Sequence, residues 1–270
     1  MVAMLAQWID RQSWFHSLMQ IGWMQKLASR ILFKSLIRSY PSGVSVKITD
    51  AESLQLSDEI FQCEPYRRAL ELAGDVRMVI DLGCNIGFFC CYLHHYYGRT
   101  DFRGFGIDAN VQVLEKAEQN LELNGLRGME LFHGLVGNME ENLTPDFFVH
   151  AAHPNSSQFI RSRTGKSLGS GWTKIEVPVL MPGELWRDQY GDTPIDLLKI
   201  DIVGSEGNLL RADPALFWQT RCIVLKWYKE YTEEEEIFPV LRDYGFTRHE
   251  ALETGSAVEL WFFSRGGSSN

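Results

Sequence analysis

An acid closes several apolar runs in this chain: Asp81 follows Met78-Val79-Ile80, Asp108 follows Phe105-Gly106-Ile107, and Asp201 follows Leu198-Lys199-Ile200. The first run continues as Asp81-Leu82-Gly83-Cys84-Asn85-Ile86-Gly87-Phe88, a glycine-rich turn between an apolar strand and a helix. Glycine carries no Cβ, so such a turn lets backbone approach a ligand closely, and the helix that follows points its free amides back at it. The spacing is not that of a dinucleotide site, because Gly-x-Gly-x-x-Gly counted from Gly83 would need glycine where Asn85 and Phe88 stand. An acid at the strand end suits instead a ligand with positive groups, such as the amine and sulfonium of S-adenosylmethionine. Asp108, one helix and one strand further on, is placed to bond ribose hydroxyls; the alternative is that it caps the helix opening at Ala109-Asn110-Val111. The expected cofactor cradle is Asp81, Gly83, Cys84, Asn85, Gly87, Phe88, Asp108 and Ala109, with Gly134 and Leu135 bordering the adenine.

The stretch Ile195-Asp196-Leu197-Leu198-Lys199-Ile200-Asp201-Ile202-Val203-Gly204-Ser205-Glu206 resembles the Lys-Ile-Asp-x-Glu-Gly-x-Glu signature of the FkbM-type methyltransferases. With Asp81 to Gly87 and Asp108, the resemblance covers roughly residues 60 to 264. One position departs from it: Val203 stands where the signature has glutamate, which leaves Glu206 as the remaining carboxylate. The resemblance implies a Rossmann-like class I methyltransferase sheet, α/β, mostly parallel and of seven strands. It also implies S-adenosyl-L-methionine as cofactor and an acceptor among sugar or natural-product hydroxyls.

Methyl transfer from a sulfonium is a single displacement, so much of the acceleration comes from holding acceptor and donor in line. A hydroxyl acceptor also needs a base. Asp201 is the first candidate and Glu206 the second. Lys199 completes the candidate catalytic set: it lies two residues before Asp201, on the same face of an alternating strand, so a Lys199–Asp201 ion pair is expected. His133, His150 and His153 are further candidate bases, each read first as a structural or surface residue. Glu64 and Tyr66 could reach the cofactor, and Lys226 and Glu230 the acceptor. No metal-ligand spacing occurs, and no metal is expected. Two rival functions stay open: N-methylation of an amine or peptide side chain, and, on the strength of Val203, a non-catalytic cofactor-binding subunit.

These residues need elements to position them. The chain has 270 residues, enough for one sizeable core and an appendage. Its net charge of −9 argues against a nucleic-acid partner. Five cysteines, an odd number without a Cys-x-x-Cys pair, argue against a disulfide framework or zinc site and fit a reducing cytoplasm. No cationic start followed by an apolar block marks a secretory leader. Residues 1–40 read as one or two helices, with Lys26, Arg30, Lys34 and Arg38 at four-residue spacing opposite Ile21, Met24, Ala28, Ile31 and Leu32. Such a helix packs on the domain, covers the substrate or dimerises; lying on an anionic membrane is the less favoured reading. The expected division is a helical appendage over 1–43, a methyltransferase domain over 44–265 and a tail over 266–270.

From Arg77 onward, strands and helices alternate, which argues a parallel sheet with helices on both faces. Strands are expected at Met78–Leu82, Phe102–Asp108, Met129–Leu135, Thr173–Leu180, Ile195–Ile202 and Cys222–Trp227, with a terminal hairpin over 246–264. Helices are expected at Ile86–Tyr97, Val111–Leu123 and Pro182–Gln189, and Pro65 should break the helix of 58–72. Thr232-Glu233-Glu234-Glu235 fits a capping box. The polar stretch 153–172 reads as an acceptor-side loop or an insertion; its Gly165-Lys166-Ser167 is no phosphate loop, since Ile160 stands where the first glycine must be.

Overall fold

The computed structural model describes residues 36–136, 147–150, 157–159 and 172–266. The expected helices within 1–35, His153, most of the 153–172 loop and the end of the tail lie outside the described residues. The first elements are a hairpin, β1 (Leu36–Ser39) and β2 (Ser45–Ile48), joined by the turn Tyr40-Pro41-Ser42-Gly43. Residues 36–40, expected as helix, are therefore strand and turn, and the strand pair straddles the junction expected at residue 43. Pairing with β2 decides this, since a four-residue segment has little preference of its own.

Helix α1 (Ala51–Asp58) begins with Asp50 and Ser53 capping each other and runs into a π-helical turn, Glu59–Cys63. Glu64-Pro65-Tyr66 breaks the helix, with Glu64 in the left-handed region, and α2 (Arg67–Ala73) follows. Then come β3 (Met78–Leu82), α3 (Phe88–Tyr97), β4 (Arg103–Asp108), α4 (Val111–Leu123) and β5 (Met129–His133). The side chain of Asn110 accepts from Gln112 N–H to start α4. The run expected as one strand over 129–135 is interrupted at Gly134, because Leu135 donates to Pro178 and β6 (Leu135–Val136) pairs elsewhere.

The short strands β7 (Phe147–His150), β8 (Ser157–Phe159) and β9 (Trp172–Ile175) form a separate antiparallel sheet. Strand β10 (Val179–Leu180) pairs with β6, so the run 173–180 is split. Helix α5 (Pro182–Tyr190) starts with proline at its first turn and leads to β11 (Ile195–Ile200). Helices α6 (Glu206–Ala212) and α7 (Pro214–Gln219) follow; Asp213 caps α7 by accepting from Leu216 N–H. Strand β12 (Thr220–Tyr228), α8 (Phe238–Asp243), β13 (Arg248–Glu253) and β14 (Val258–Ser264) complete the chain. The expected capping box does not form: the Thr232 hydroxyl donates a hydrogen bond to Glu206, and 234–236 is a single 3-10 turn.

The central sheet has seven strands in the order β13-β14-β12-β11-β3-β4-β5, with β14 antiparallel to both of its neighbours. One face packs on β2, α2, α3 and α4 through residues such as Val79, Phe88, Tyr92, Leu197 and Val224. The other packs on α5, α6, α7 and α8 through Ile80, Phe105, Trp186, Leu198 and Phe217. Each such fully buried side chain contributes about 1.5–3 kcal/mol relative to exposure. The chain leaves β3 toward β4 on one side and returns to β11 on the other, so the carboxyl ends of β3 and β11 flank the switch in strand order where open sheets bind ligands. No helix among the described residues is long and apolar enough to cross a membrane.

Candidate active site

The turn after β3 is held by its neighbours on both sides. Gly83 and Cys84 both donate N–H to the Ile107 carbonyl, and Asp201 N–H donates to Leu82 O. Gly83 has φ +73, and a Cβ there would lie 1.9 Å from the Asp201 carbonyl oxygen. Glycine is therefore required where the two loops of the switch meet. Gly87, with φ +77, opens α3 against Ala117.

Asp108 ends β4 half-buried. Its Oδ2 accepts Asn85 N–H and its Oδ1 accepts Asn110 N–H, both at 2.9 Å. The cap of α4 is Asn110, not Asp108. Burial pushes the Asp108 carboxyl up to about 6 against the pull of those backbone donors. Each carboxylate oxygen keeps a further lone pair for a ligand donor. Beyond it opens a cleft of about 480 Å3 bordered by Gly83, Asp108, Ala109, Gly134, Leu135 and Asp201 of the expected residues. Sequence reasoning missed Ile107, Val136, Phe147, Ile202, Val203 and Ser205, which also line it. Nothing in their types marks them; a strand-end position next to an identified acid is the one signal that could have found them.

Asp81, Cys84, Asn85, Gly87 and Phe88 do not line the cleft. Asp81 is fully buried beneath the turn and paired with Lys199, whose Nζ lies 2.8 Å from Oδ1 and also donates to Gly83 O at 3.1 Å. The expected Lys199–Asp201 pair is thus replaced by a Lys199–Asp81 pair. The register explains it: Lys199 stands directly opposite Asp81 in the parallel pairing of β11 with β3, about 4.8 Å away, whereas Asp201 is two residues, about 6.6 Å, further along its own strand. Burial alone would lower the Lys199 pKa, but Asp81, Asp201 and Tyr66 outweigh it and push it up, so the ammonium stays charged.

Asp201 lies at the end of β11 with its side chain 20% exposed. Tyr228 donates its hydroxyl to Oδ1 at 2.9 Å, and Lys226 Nζ is 3.9 Å from Oδ2. Burial and the Asp201 charge push the Tyr228 phenol up, so it stays a donor. Glu206 is buried and turned away from the cleft. Its Oε1 accepts Gly204 N–H and its Oε2 accepts the Thr232 hydroxyl, each at 3.1 Å, while burial raises it to about 7. Val203, at the signature glutamate's position, lines the cleft with φ +37, a costly conformation for a β-branched residue.

The remaining candidates fall outside this constellation. His133 bonds the Ala109 carbonyl, and His150 is in β7. Glu64 bridges Arg67 and His95, and Glu230 is exposed. Tyr66 and Lys226 line a different cavity. Among the described residues, no group of three or more His, Cys, Asp or Glu side chains could hold a metal ion.

The cleft fits a nucleoside. It offers a carboxylate with spare lone pairs at the end of β4 and apolar walls from Ile107, Leu135, Val136 and Phe147. The chain is 23% identical over 197 residues to the methyltransferase sdnD of Sordaria araneosa, covering 62% of this chain and 73% of that protein. The N-terminal domain of EvdMO1 with SAH bound superposes with a TM-score of 0.47 at 12% identity, covering 90% of this chain and 96% of that domain. The methyltransferase FkbM from Methylobacillus flagellatus KT gives 0.45 at 13% identity over 70% of this chain. The chain spans 43% of that Methylobacillus protein and 41% of the longer EvdMO1 chain. A family model, the methyltransferase FkbM domain, matches residues 81–248, from the acid under the glycine turn to the first residue of the terminal hairpin. On that match the chain belongs to the FkbM methyltransferase family and is an S-adenosylmethionine-dependent enzyme.

Proposed function

We propose that the enzyme O-methylates a hydroxyl of a small molecule, with Asp201 as the base. The observation that supports this most directly is the position of Asp201: it borders the nucleoside cleft, is partly open, and has one oxygen fixed by Tyr228. The bound cofactor supplies an electrophilic methyl on sulfur. Asp108 takes the ribose hydroxyls, and Ile107, Leu135, Val136 and Phe147 cover the base. Lys199 neutralises Asp81, so the acid under the turn adds no net charge there. The Tyr228 hydrogen bond orients the Asp201 carboxylate and leaves Oδ2 to accept the acceptor's hydroxyl proton as its oxygen bonds to carbon. Glu206 acts indirectly, by tying Gly204 and Thr232 together behind the Asp201 loop.

Methyl transfer to a panel of hydroxylated small molecules, read by mass spectrometry, tests this. Asp201→Asn should bind S-adenosylhomocysteine normally and lose about 10²–10⁴-fold in turnover, the usual contribution of a general base. Full activity in that variant would remove Asp201 from the reaction.

A further inference from the structure

A second cavity, of about 490 Å3, opens at the same carboxyl edge of the sheet but over β12, β13 and β14. Its walls are Pro65 and Tyr66 from the break between α1 and α2, and Val258 and Leu260 from β14. Its polar lining is Glu59, Glu253, Glu259 and Lys226. Lys226 joins it to the cofactor cleft. This ammonium is 3.6 Å from Glu59 and 3.9 Å from Asp201 Oδ2, and Asp201 lines the cleft. Register puts Lys226 on the same sheet face as Asp201: Lys199 stands opposite Val224, and each of these two residues lies two positions beyond its partner. Asp201 borders the cleft and Lys226 the second cavity, so a molecule seated in that cavity would reach Asp201 past the Lys226 ammonium, and a methyl donor held in the cleft would lie on the other side of Asp201.

We propose that this cavity is the acceptor pocket, and that it selects a hydroxylated acceptor bearing a protonated amine. The inference rests on the reading of Asp201 as the base. Acids outnumber bases around the cavity. Glu259 is satisfied by Lys229 and Trp261 Nε1, and Lys226 lies between Glu59 and Asp201. Glu253 is exposed at the end of β13, and its side chain forms no ion pair or hydrogen bond with the described residues. A cationic group on the acceptor gains a charge-assisted bond at Glu253 and a second acid at Glu59, whereas an anionic acceptor meets like charge. The chemistry follows from the same contact. An amine kept protonated by these carboxylates has no lone pair, so the methyl goes to oxygen: the C–S bond breaks, an O–C bond forms, and the hydroxyl proton passes to Asp201 Oδ2.

Saturation-transfer NMR with the full chain and saturating S-adenosylhomocysteine provides the test, with the methyl glycosides of glucosamine, glucose and glucuronic acid as matched probes. The glucosaminide should bind about tenfold more tightly than the glucoside, and the glucuronide should not bind. Glu253→Gln, an exposed substitution, should abolish the preference for the amine. Val258→Trp should block every probe while S-adenosylhomocysteine still binds by calorimetry. Equal binding of the probes, no binding, unchanged binding in Val258→Trp, or transfer of the methyl to nitrogen would overturn the proposal. The separate outcome that Asp201→Asn keeps full turnover, with the amine preference intact, would instead overturn the assignment of the base and leave the pocket standing.

Discussion

Replacing Lys199 by methionine should destabilise the fold far more than it alters the chemistry. The substitution leaves the Asp81 carboxylate fully buried, with the weak Cys90 thiol donor at 3.6 Å the one remaining side-chain partner among the described residues. Removing one partner of a buried ion pair costs about 3–5 kcal/mol, because the remaining charge is left without compensation. For a domain of this size each kcal/mol moves the melting temperature by about 2–4 °C, so Lys199→Met should melt about 6–20 °C lower. The Lys199→Met/Asp81→Leu double variant removes both charges and should recover most of the loss, giving a coupling energy of about 2 kcal/mol or more in a urea double-mutant cycle. The deficit of the single variant should be equal at pH 7 and pH 9. The folded pKa of Lys199 is raised, so its stabilisation is fully present below the unfolded value of about 10.4 and is lost only as pH rises through the higher folded value. A Lys199→Met protein within 1 kcal/mol of wild type but unable to transfer a methyl would refute this reasoning and return Lys199 to the catalytic centre.

Asp108→Ala should weaken S-adenosylhomocysteine binding by about 1.5–3 kcal/mol in calorimetry, the worth of a charge-assisted hydrogen bond. Wild-type affinity should fall as pH drops through about 6, where the carboxyl takes up a proton, and the variant should lack that dependence. Glu206 holds its proton up to about 7 when folded but only to its ordinary 4.5 when unfolded, so the folded form binds more protons between these values. Its contribution is fully present at the acid end and is lost as pH rises through 7, by about 3 kcal/mol; urea midpoints of Glu206→Gln should gain on wild type between pH 5 and pH 8. Gly83→Ala puts a Cβ 1.9 Å from the Asp201 carbonyl, so the β11 loop must retreat by about 1 Å, and turnover should fall by about 10²-fold even where the protein folds. Unchanged kinetics in a folded Gly83→Ala protein would separate the two loops.

The elements that were legible from the sequence are those whose boundaries are written locally. Met78–Leu82 is an apolar run stopped by a glycine turn, and Val111–Leu123 starts at an asparagine cap and ends at Asn124-Gly125; both appear with those bounds. Where distant partners decide, the reading slipped. Leu36-Ile37-Arg38-Ser39 continues the four-residue charge spacing of the preceding segment, yet β2 draws it into a hairpin. Thr232 carries a capping-box pattern, but Glu206, far away in sequence, takes its hydroxyl. The same limit applies to the site. Alternation places Lys199 and Asp201 on one face but says nothing of which residue the neighbouring strand sets opposite each of them. Asp108, Gly134 and Leu135 were found because strand ends collect ligands, while Phe147 comes from a strand in another sheet.

The Lys-Ile-Asp run makes sense once depth along the strand is added to face. Lys199 is one pleat below the sheet edge, where the acid of the glycine turn stands directly opposite it, and it ties β11 to β3 across the switch. Asp201 is at the edge, and its backbone oxygen occupies the space that Gly83 leaves. Neither loop can therefore move alone. The cost of this coupling falls on the residues that bring the chain round into α6. Val203 takes φ +37, a strain of about 1–3 kcal/mol that persists only where its surroundings over-determine it. They do so here: Gly204 packs against Tyr231 and gives its N–H to Glu206, and Glu206 is pinned by Thr232. Glu206 in this arrangement does for the Asp201 loop what Lys199 does for the glycine turn, holding a functional backbone in place from behind. On the proposed reading of Asp201, the signature holds one acid that faces the reaction and two buried side chains, Lys199 and Glu206, that keep it there.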